Sequence, residues 1–188
     1  MEIDIHIAHD MDQGRLGETY NRLMGQSSTD WVLFIDSDVL LLHPRWFNIF
    51  VRTIYLHGEG TGLITCKTNR LGCKEQMILG NDNNHDIIKH TEHAISVERQ
   101  FRGQVEDYTH GKRMSGHVML VNKCAWEKVG GFPIGGVIGT DTKFHGRIEH
   151  GGFKVLCMKD QYVYHRYLRQ WRMQEYNDGE WAKRRWAK

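Results

Sequence analysis

The apolar run Trp31-Val32-Leu33-Phe34-Ile35 ends directly on Asp36-Ser37-Asp38. Two carboxylates one residue apart repel each other unless a cation or a hydrogen-bonding ligand joins them. Oxygen donors of this kind suit a hard divalent ion, Mg²⁺ or Mn²⁺. The plainer reading is an Asp-Ser-Asp turn whose side chains cap backbone groups. A third carboxylate, Asp141, follows the glycine-rich stretch Gly135-Gly136-Val137-Ile138-Gly139. It falls in the first turn of an expected helix, where the helix dipole favours an anion. On its own, that is a carboxylate that stabilises a helix start. His165 closes the apolar approach Tyr162-Val163-Tyr164, and the polar Lys67-Thr68-Asn69-Arg70 closes another apolar run, Leu63 to Cys66.

The elements that would position these residues follow from periodicity. An unbroken apolar run such as Trp31–Ile35 reads as a strand buried on both faces, as in a parallel sheet between helices. In such sheets ligands sit beyond the carboxyl ends of the strands, where Asp36 and Asp38 lie. Glu2 to His9 alternates and predicts a strand, followed by a polar loop to Gly14. Leu16, Tyr20, Leu23 and Met24 share one face of a helix over 15–24. Pro44 marks a first helical position, and Trp46, Phe47, Phe50, Val51 and Ile54 form a core-facing stripe up to Gly58 and Gly60. Strands are expected at Leu63–Cys66, His117–Val121 and Phe153–Met158. Asn122 is a good N-cap for a helix over 123–129. Thr140 is expected to cap a helix carrying Asp141, with Phe144 and Ile148 on its buried face.

Residues 74–113 differ in character. They are polar and rich in Asn and His, with a helix expected over Asp86–Phe101. The segment reads as a mobile lid, an acceptor-side insertion or a solvated decoration. The tail 166–188 interleaves Arg169, Trp171, Arg172, Trp181, Lys183, Arg184, Arg185 and Trp186. That pattern suits an anionic membrane surface, a phosphate-rich ligand or nucleic acid, or an amphipathic helix laying its tryptophans on the domain.

At 188 residues the chain fits one domain, and its formal net charge of +2 argues against a general polyanion binder. No run approaches a membrane span and the N-terminus has no signal-peptide pattern, so a cytoplasmic location is expected, peripheral at the membrane if the tail binds it. Cys66, Cys73, Cys124 and Cys157 form no C-x-x-C pair. They read as reduced, mostly buried thiols, and a zinc site is not expected.

Three segments then line up in order. Leu16-Gly17-Glu18-Thr19-Tyr20-Asn21 precedes Asp30 to Asp38; Gly116 to Val121 runs into Trp126-Glu127-Lys128-Val129-Gly130-Gly131-Phe132; and Gly139-Thr140-Asp141 leads to Gly151-Gly152-Phe153-Lys154-Val155 and Tyr164-His165. Together they resemble the family 2 glycosyltransferases of the GT-A fold, over most of the chain outside 74–113 and the tail. The resemblance implies an α/β, Rossmann-like domain over 1–165 with a mostly parallel sheet flanked by helices. It implies a nucleotide-diphosphate sugar donor and Mn²⁺ or Mg²⁺. Asp36 would lie near the ribose and metal, Asp38 would bind the metal, and His165 would be a further ligand. Asp141 would be the catalytic base of an inverting hexosyl or N-acetylhexosaminyl transfer, with Gly116 and Thr140 on the acceptor side. Asn21 and Ser37 would contact the nucleotide sugar; apart from the resemblance, Lys67 or Arg70 at a strand's carboxyl end would add positive charge for the phosphates. Lys67 and Arg70 read equally as surface charge.

The chain departs from the family in three places. Thr140-Asp141 replaces the usual Glu-Asp, and Tyr20-Asn21 the usual Arg-Asn. A single strand precedes the Leu-Gly turn, so Ala8, His9 and Asp10 would hold the base with less help. A UDP-sugar is favoured and a GDP-sugar remains open; the acceptor would be a glycan, a lipid-linked sugar or a protein. The rival readings are a sugar nucleotidyltransferase, a nucleotide-sugar-binding module without turnover, and a nucleic-acid binder acting through the tail. Nucleic acid is the least expected partner.

Overall fold

The computed structural model describes residues 1–7, 15–78, 85–135 and 139–166. The expectations placed on Ala8, His9 and Asp10, on residues 136–138 of the glycine-rich loop and on the tail beyond Arg166 lie outside the described residues. The element order is β1 (Asp4–His6), α1 (Leu16–Gln26), β2 (Trp31–Ile35), β3 (Val39–Leu40), α2 (Trp46–His57), β4 (Thr61–Thr68), a 3₁₀ turn (Lys74–Gln76), α3 (Ile87–Phe101), β5 (Val105–Asp107), β6 (Val118–Asn122), α4 (Lys123–Lys128), α5 (Thr140–His150) and β7 (Lys154–His165).

The strands form one sheet in the order β1-β2-β6-β4-β7-β3, with β5 also pairing β7. β1 runs parallel to β2 and β4 parallel to β7, while β6 lies between β2 and β4 antiparallel to both. β1, β2, β4 and β7 therefore point the same way, and their carboxyl ends gather on one edge. Every residue of β2 and β4 is buried. The side chains of α2 (Ile49, Phe50, Ile54) pack with Leu33, Ile64 and Leu120 on one face of the sheet. Those of α1, α4 and α5 (Tyr20, Met24, Ala125, Phe144, Ile148) pack with Val32, Phe34, Leu63 and Val121 on the other. Alternation along each strand sends neighbours to opposite faces. That is why the β2 run is apolar throughout.

Several expectations are corrected in detail. β1 is shorter than the alternation predicts: as the last strand of the sheet it leaves Ile5 and Ile7 at 43% and 62% exposure. α2 begins at Trp46, after a turn in which the Trp46 N–H donates to the His43 carbonyl. The cap of α5 is Gly139, in the left-handed region at φ 79°; Thr140 is already helical and buried. Phe153–Met158 and the approach to His165 are one twelve-residue strand, β7, with a register shift opposite Cys66/Lys67. The Asn122 cap holds, its side chain accepting the Ala125 N–H at 2.9 Å. The cysteines are all free; Cys66 and Cys157 are buried, Cys73 half-buried and Cys124 exposed.

Residues 74–78 and 85–113 of the polar segment are built into the domain. β5 pairs with β7, and α3 packs Ala94 and Val97 against Tyr162. A few of its polar groups are buried with partners. His90 lies 2.7 Å from the Tyr162 hydroxyl, and Glu98 accepts from Arg52 at 3.1 Å, while Arg52 also donates to Asp160 at 2.6 Å. This network ties α2, α3 and β7 together. Among the described residues, no helix is long and apolar enough to cross a membrane.

Candidate active site

The end of β2 sets the site. The Asp36 N–H donates to the His117 carbonyl at 2.9 Å, one residue beyond the strand, and the Val39 N–H closes a turn on the Asp36 carbonyl at 3.1 Å. That turn projects Asp36 and Asp38 from the carboxyl edge of the sheet. β3 then pairs antiparallel with the end of β7, Val39 opposite His165, and the Arg166 N–H donates to the Asp38 carbonyl at 3.0 Å. Residues 127 positions apart are thereby locked side by side: His165 Nε2 lies 3.1 Å from Asp38 Oδ1.

His165 is 4% exposed and held on three sides. Its N–H donates to Asn69 Oδ1 at 2.7 Å, its Nδ1 lies 3.0 Å from the Arg70 carbonyl, and its ring stacks on His117 with centroids 5.8 Å apart. With Nδ1 on the Arg70 carbonyl, the ring is oriented so that Nε2 and the Asp38 carboxylate face one position, where a shared cation would sit. One ligand atom each from Asp36, Asp38 and His165 lie within 4.8 Å of one another. In an octahedral site with bonds of about 2.1 Å, adjacent ligand atoms stand about 3 Å apart, so the Asp38–His165 spacing fits such an edge. The donor set of two carboxylates and an imidazole suits Mn²⁺ or Mg²⁺, and these residues would hold it.

The electrostatics agree. Burial raises the Asp36 carboxyl to about 6; His165 opposes the rise, and the charges of Asp38 and Asp141 add to it. Tyr20 is raised by burial first and then by Asp36 and Asp141, which puts all three groups in one neighbourhood. Asp141 is fixed by two backbone donors: the Gly116 N–H reaches Oδ2 at 2.7 Å and the Thr142 N–H reaches Oδ1 at 2.8 Å. Gly116 allows that approach, since a Cβ there would stand 3.0 Å from Asp141 Cβ. Burial, then the neighbouring His165, holds the His117 imidazole down at about 3, so it stays neutral.

Other expected contacts fall elsewhere. Lys67 is turned into the core, its ammonium donating to the Glu75 carbonyl at 2.8 Å, Glu106 at 3.1 Å and the Tyr108 hydroxyl at 3.3 Å. All three donors are used there, so none is left for a phosphate. Asn21 clamps α1 to the loop after α4: Nδ2 donates to the Phe132 carbonyl at 3.0 Å, and Oδ1 accepts from the Phe132 N–H at 2.7 Å and the Trp126 indole at 2.9 Å. Its amide holds the fold rather than the nucleotide. Thr140 is 2% exposed, with its methyl toward Gly17 of α1, and does not line an acceptor face. Arg70 contributes its carbonyl, and Ser37 is exposed between the two aspartates. Two residues that hold the site, Asn69 and His117, lie in the polar stretches flanking β4 and β6. Their position at strand ends was the available signal.

A cavity of about 580 Å³ lined by Leu56, His57, Glu59, Gly60, Val105, Asp107, Lys154 and Leu156 lies where β7 begins, at the opposite end from His165. None of the metal-ligating or catalytic candidates reaches it.

No protein-family model matches the chain, and no curated protein matches it by sequence. Among solved structures it is similar to the catalytic domain of Drosophila β1,4-galactosyltransferase 7 in complex with xylobiose, at 15% identity and a TM-score of 0.47 over 80% of this chain. It is similar to the mannosyltransferase PcManGT from Pyrobaculum calidifontis in complex with GDP-Man and Mn²⁺, at 15% identity and 0.48 over 85%. A mutant of the Drosophila enzyme with manganese, UDP-Gal and xylobiose gives 15% and 0.48 over 90%. The chain spans 48%, 39% and 59% of those chains respectively.

Proposed function

We propose that the chain is a metal-dependent glycosyltransferase with a GT-A fold, related to family 2, moving a sugar from a nucleotide diphosphate to an acceptor hydroxyl. The observation that carries this reading is the convergence of Asp36, Asp38 and His165 at the carboxyl edge of the sheet. A divalent cation held there would neutralise the charge that develops on the departing diphosphate. Asp38 and His165 bind and orient; Asp36 faces both the metal position and the nucleotide side. Asp141, held by the Gly116 and Thr142 N–H groups, takes the proton of the acceptor hydroxyl. General-base catalysis of this kind contributes roughly 10²–10⁴-fold. With one base opposite the leaving group, displacement is direct and the anomeric configuration inverts. UDP-sugars are the first donors to try, GDP-sugars the second.

The test is donor turnover in the presence of Mn²⁺ across UDP-, GDP-, CDP- and dTDP-sugars, with and without simple glycan acceptors. Metal-dependent release of one nucleoside diphosphate, lost in Asp38→Asn, supports the reading. Release without metal, or equal release by Asp38→Asn, rules it out. A product that retains the donor's anomeric configuration removes the base role from Asp141.

A further inference from the structure

β4 and β6 pair at Leu63↔Val121 and Ile64↔Leu120, and the ladder stops there. Toward the carboxyl edge, where the site lies, side chains bridge the two segments instead. Thr65 Oγ1 donates to the Val118 carbonyl at 2.8 Å. Gln76, fully buried in the 3₁₀ turn, spans the rest. Its Oε1 accepts the Ser115 N–H at 2.6 Å, while its Nε2 donates to the Ser115 carbonyl at 3.3 Å and to Thr65 Oγ1 at 2.9 Å. The amide grips both peptide groups of one residue, as a neighbouring strand would.

Ser115 opens a three-residue stretch that touches the whole site. The Gly116 N–H holds Asp141, the His117 carbonyl receives the Asp36 N–H, and the His117 ring stacks on His165. We propose that Gln76 is a positioning residue: its bidentate grip on Ser115 sets the register in which residues 116–117 hold the base and the metal ligands together. A merely structural amide would stabilise the domain without moving these groups relative to one another. Backbone hydrogen bonds fix direction as well as proximity: the Gly116 N–H belongs to the same peptide as the Ser115 carbonyl that Gln76 holds, and the His117 carbonyl lies two peptides further on. The activity arm of the test below rests on the transferase reading; the metal arm does not.

The variants are Gln76→Met, which keeps volume and removes the hydrogen bonds, and the pair Thr65→Val and Thr65→Ser. Asn122→Ala, which removes the α4 cap remote from this clamp, serves as the control for lost stability. Mn²⁺ dissociation constants are measured by electron paramagnetic resonance of free Mn²⁺, and kcat and donor KM at saturating metal. Gln76→Met is expected to weaken Mn²⁺ binding about tenfold or more, the range for residues that orient metal ligands. It should lower kcat similarly, with donor KM moving less than about threefold. Thr65→Val should show a smaller loss that Thr65→Ser restores; this pair decides the matter if Gln76→Met does not fold. Mn²⁺ affinity within about twofold of wild type in Gln76→Met and Thr65→Val, or an equal loss in Asn122→Ala, overturns the proposal. A wild type that binds Mn²⁺ but turns over no sugar nucleotide removes the transferase reading and leaves the metal arm to judge Gln76. A wild type that binds no Mn²⁺ overturns both.

Discussion

Lys67 and His165 are both polar residues at strand ends, and their surroundings assign them opposite work. Lys67 spends its ammonium on Glu75, Glu106 and Tyr108 inside the domain. Lys67→Met should therefore leave donor KM unchanged while lowering unfolding free energy by about 1–3 kcal/mol, since buried acceptors lose their donor. Urea unfolding and donor kinetics on one preparation check this; a large rise in donor KM at unchanged stability would return Lys67 to the phosphates. His165 is held by Asn69, Arg70 and His117 so that Nε2 faces Asp38. His165→Gln should weaken Mn²⁺ binding by at least about tenfold with little loss of fold, and calorimetric titration of Mn²⁺ reads it directly.

The elements explain which features were legible beforehand. Trp31–Ile35, the α2 stripe and the Asn122 cap were readable because each depends on neighbours in sequence: burial on both faces makes a strand apolar throughout, and a cap is a local hydrogen bond. The pairing of Asp36 and Asp38 at a strand's carboxyl end was readable for the same reason. Asn21 was not, because its partners Trp126 and Phe132 lie more than 100 positions away. In the 74–113 segment polarity does not mark solvent at Gln76, His90 and Glu98, because each is buried against a partner that the sequence does not show. Gly17 belongs to this scale as well. A Cβ there would stand 1.9 Å from the Pro133 carbonyl, so α1 and the loop before α5 touch backbone to backbone. Gly17→Ala must push them apart. A loss of about 1–3 kcal/mol in unfolding free energy is expected, the usual range for overpacking, and a variant as stable as wild type would show that the contact yields freely.

For the whole molecule, stability should fall as the pH drops below neutral. Burial holds the His145 imidazole below its ordinary value of 6.5, where its Nε2 meets the Tyr108 carbonyl at 2.9 Å. A folded-state pKa below the unfolded one means the unfolded chain binds more protons between the two values. The penalty is absent above about pH 6.5 and grows as pH falls toward the depressed folded value. Urea midpoints should fall between pH 7.5 and 5.5, and His145→Gln, which keeps an N–H donor without titrating, should fall less. A variant with the same pH dependence would remove His145 from this effect.

The proposed function makes the carboxyl edge of this sheet a metal-dependent site for a nucleoside diphosphate. Calorimetric titration of UDP and GDP into the protein, with Mn²⁺ and with chelator, for wild type and Asp38→Asn, tests it most directly. One nucleotide should bind the wild type only when Mn²⁺ is present, and Asp38→Asn should bind neither metal nor nucleotide measurably while keeping its fold. Nucleotide binding that ignores the metal, or Mn²⁺ binding that ignores the loss of Asp38, would mean that these residues form no such site.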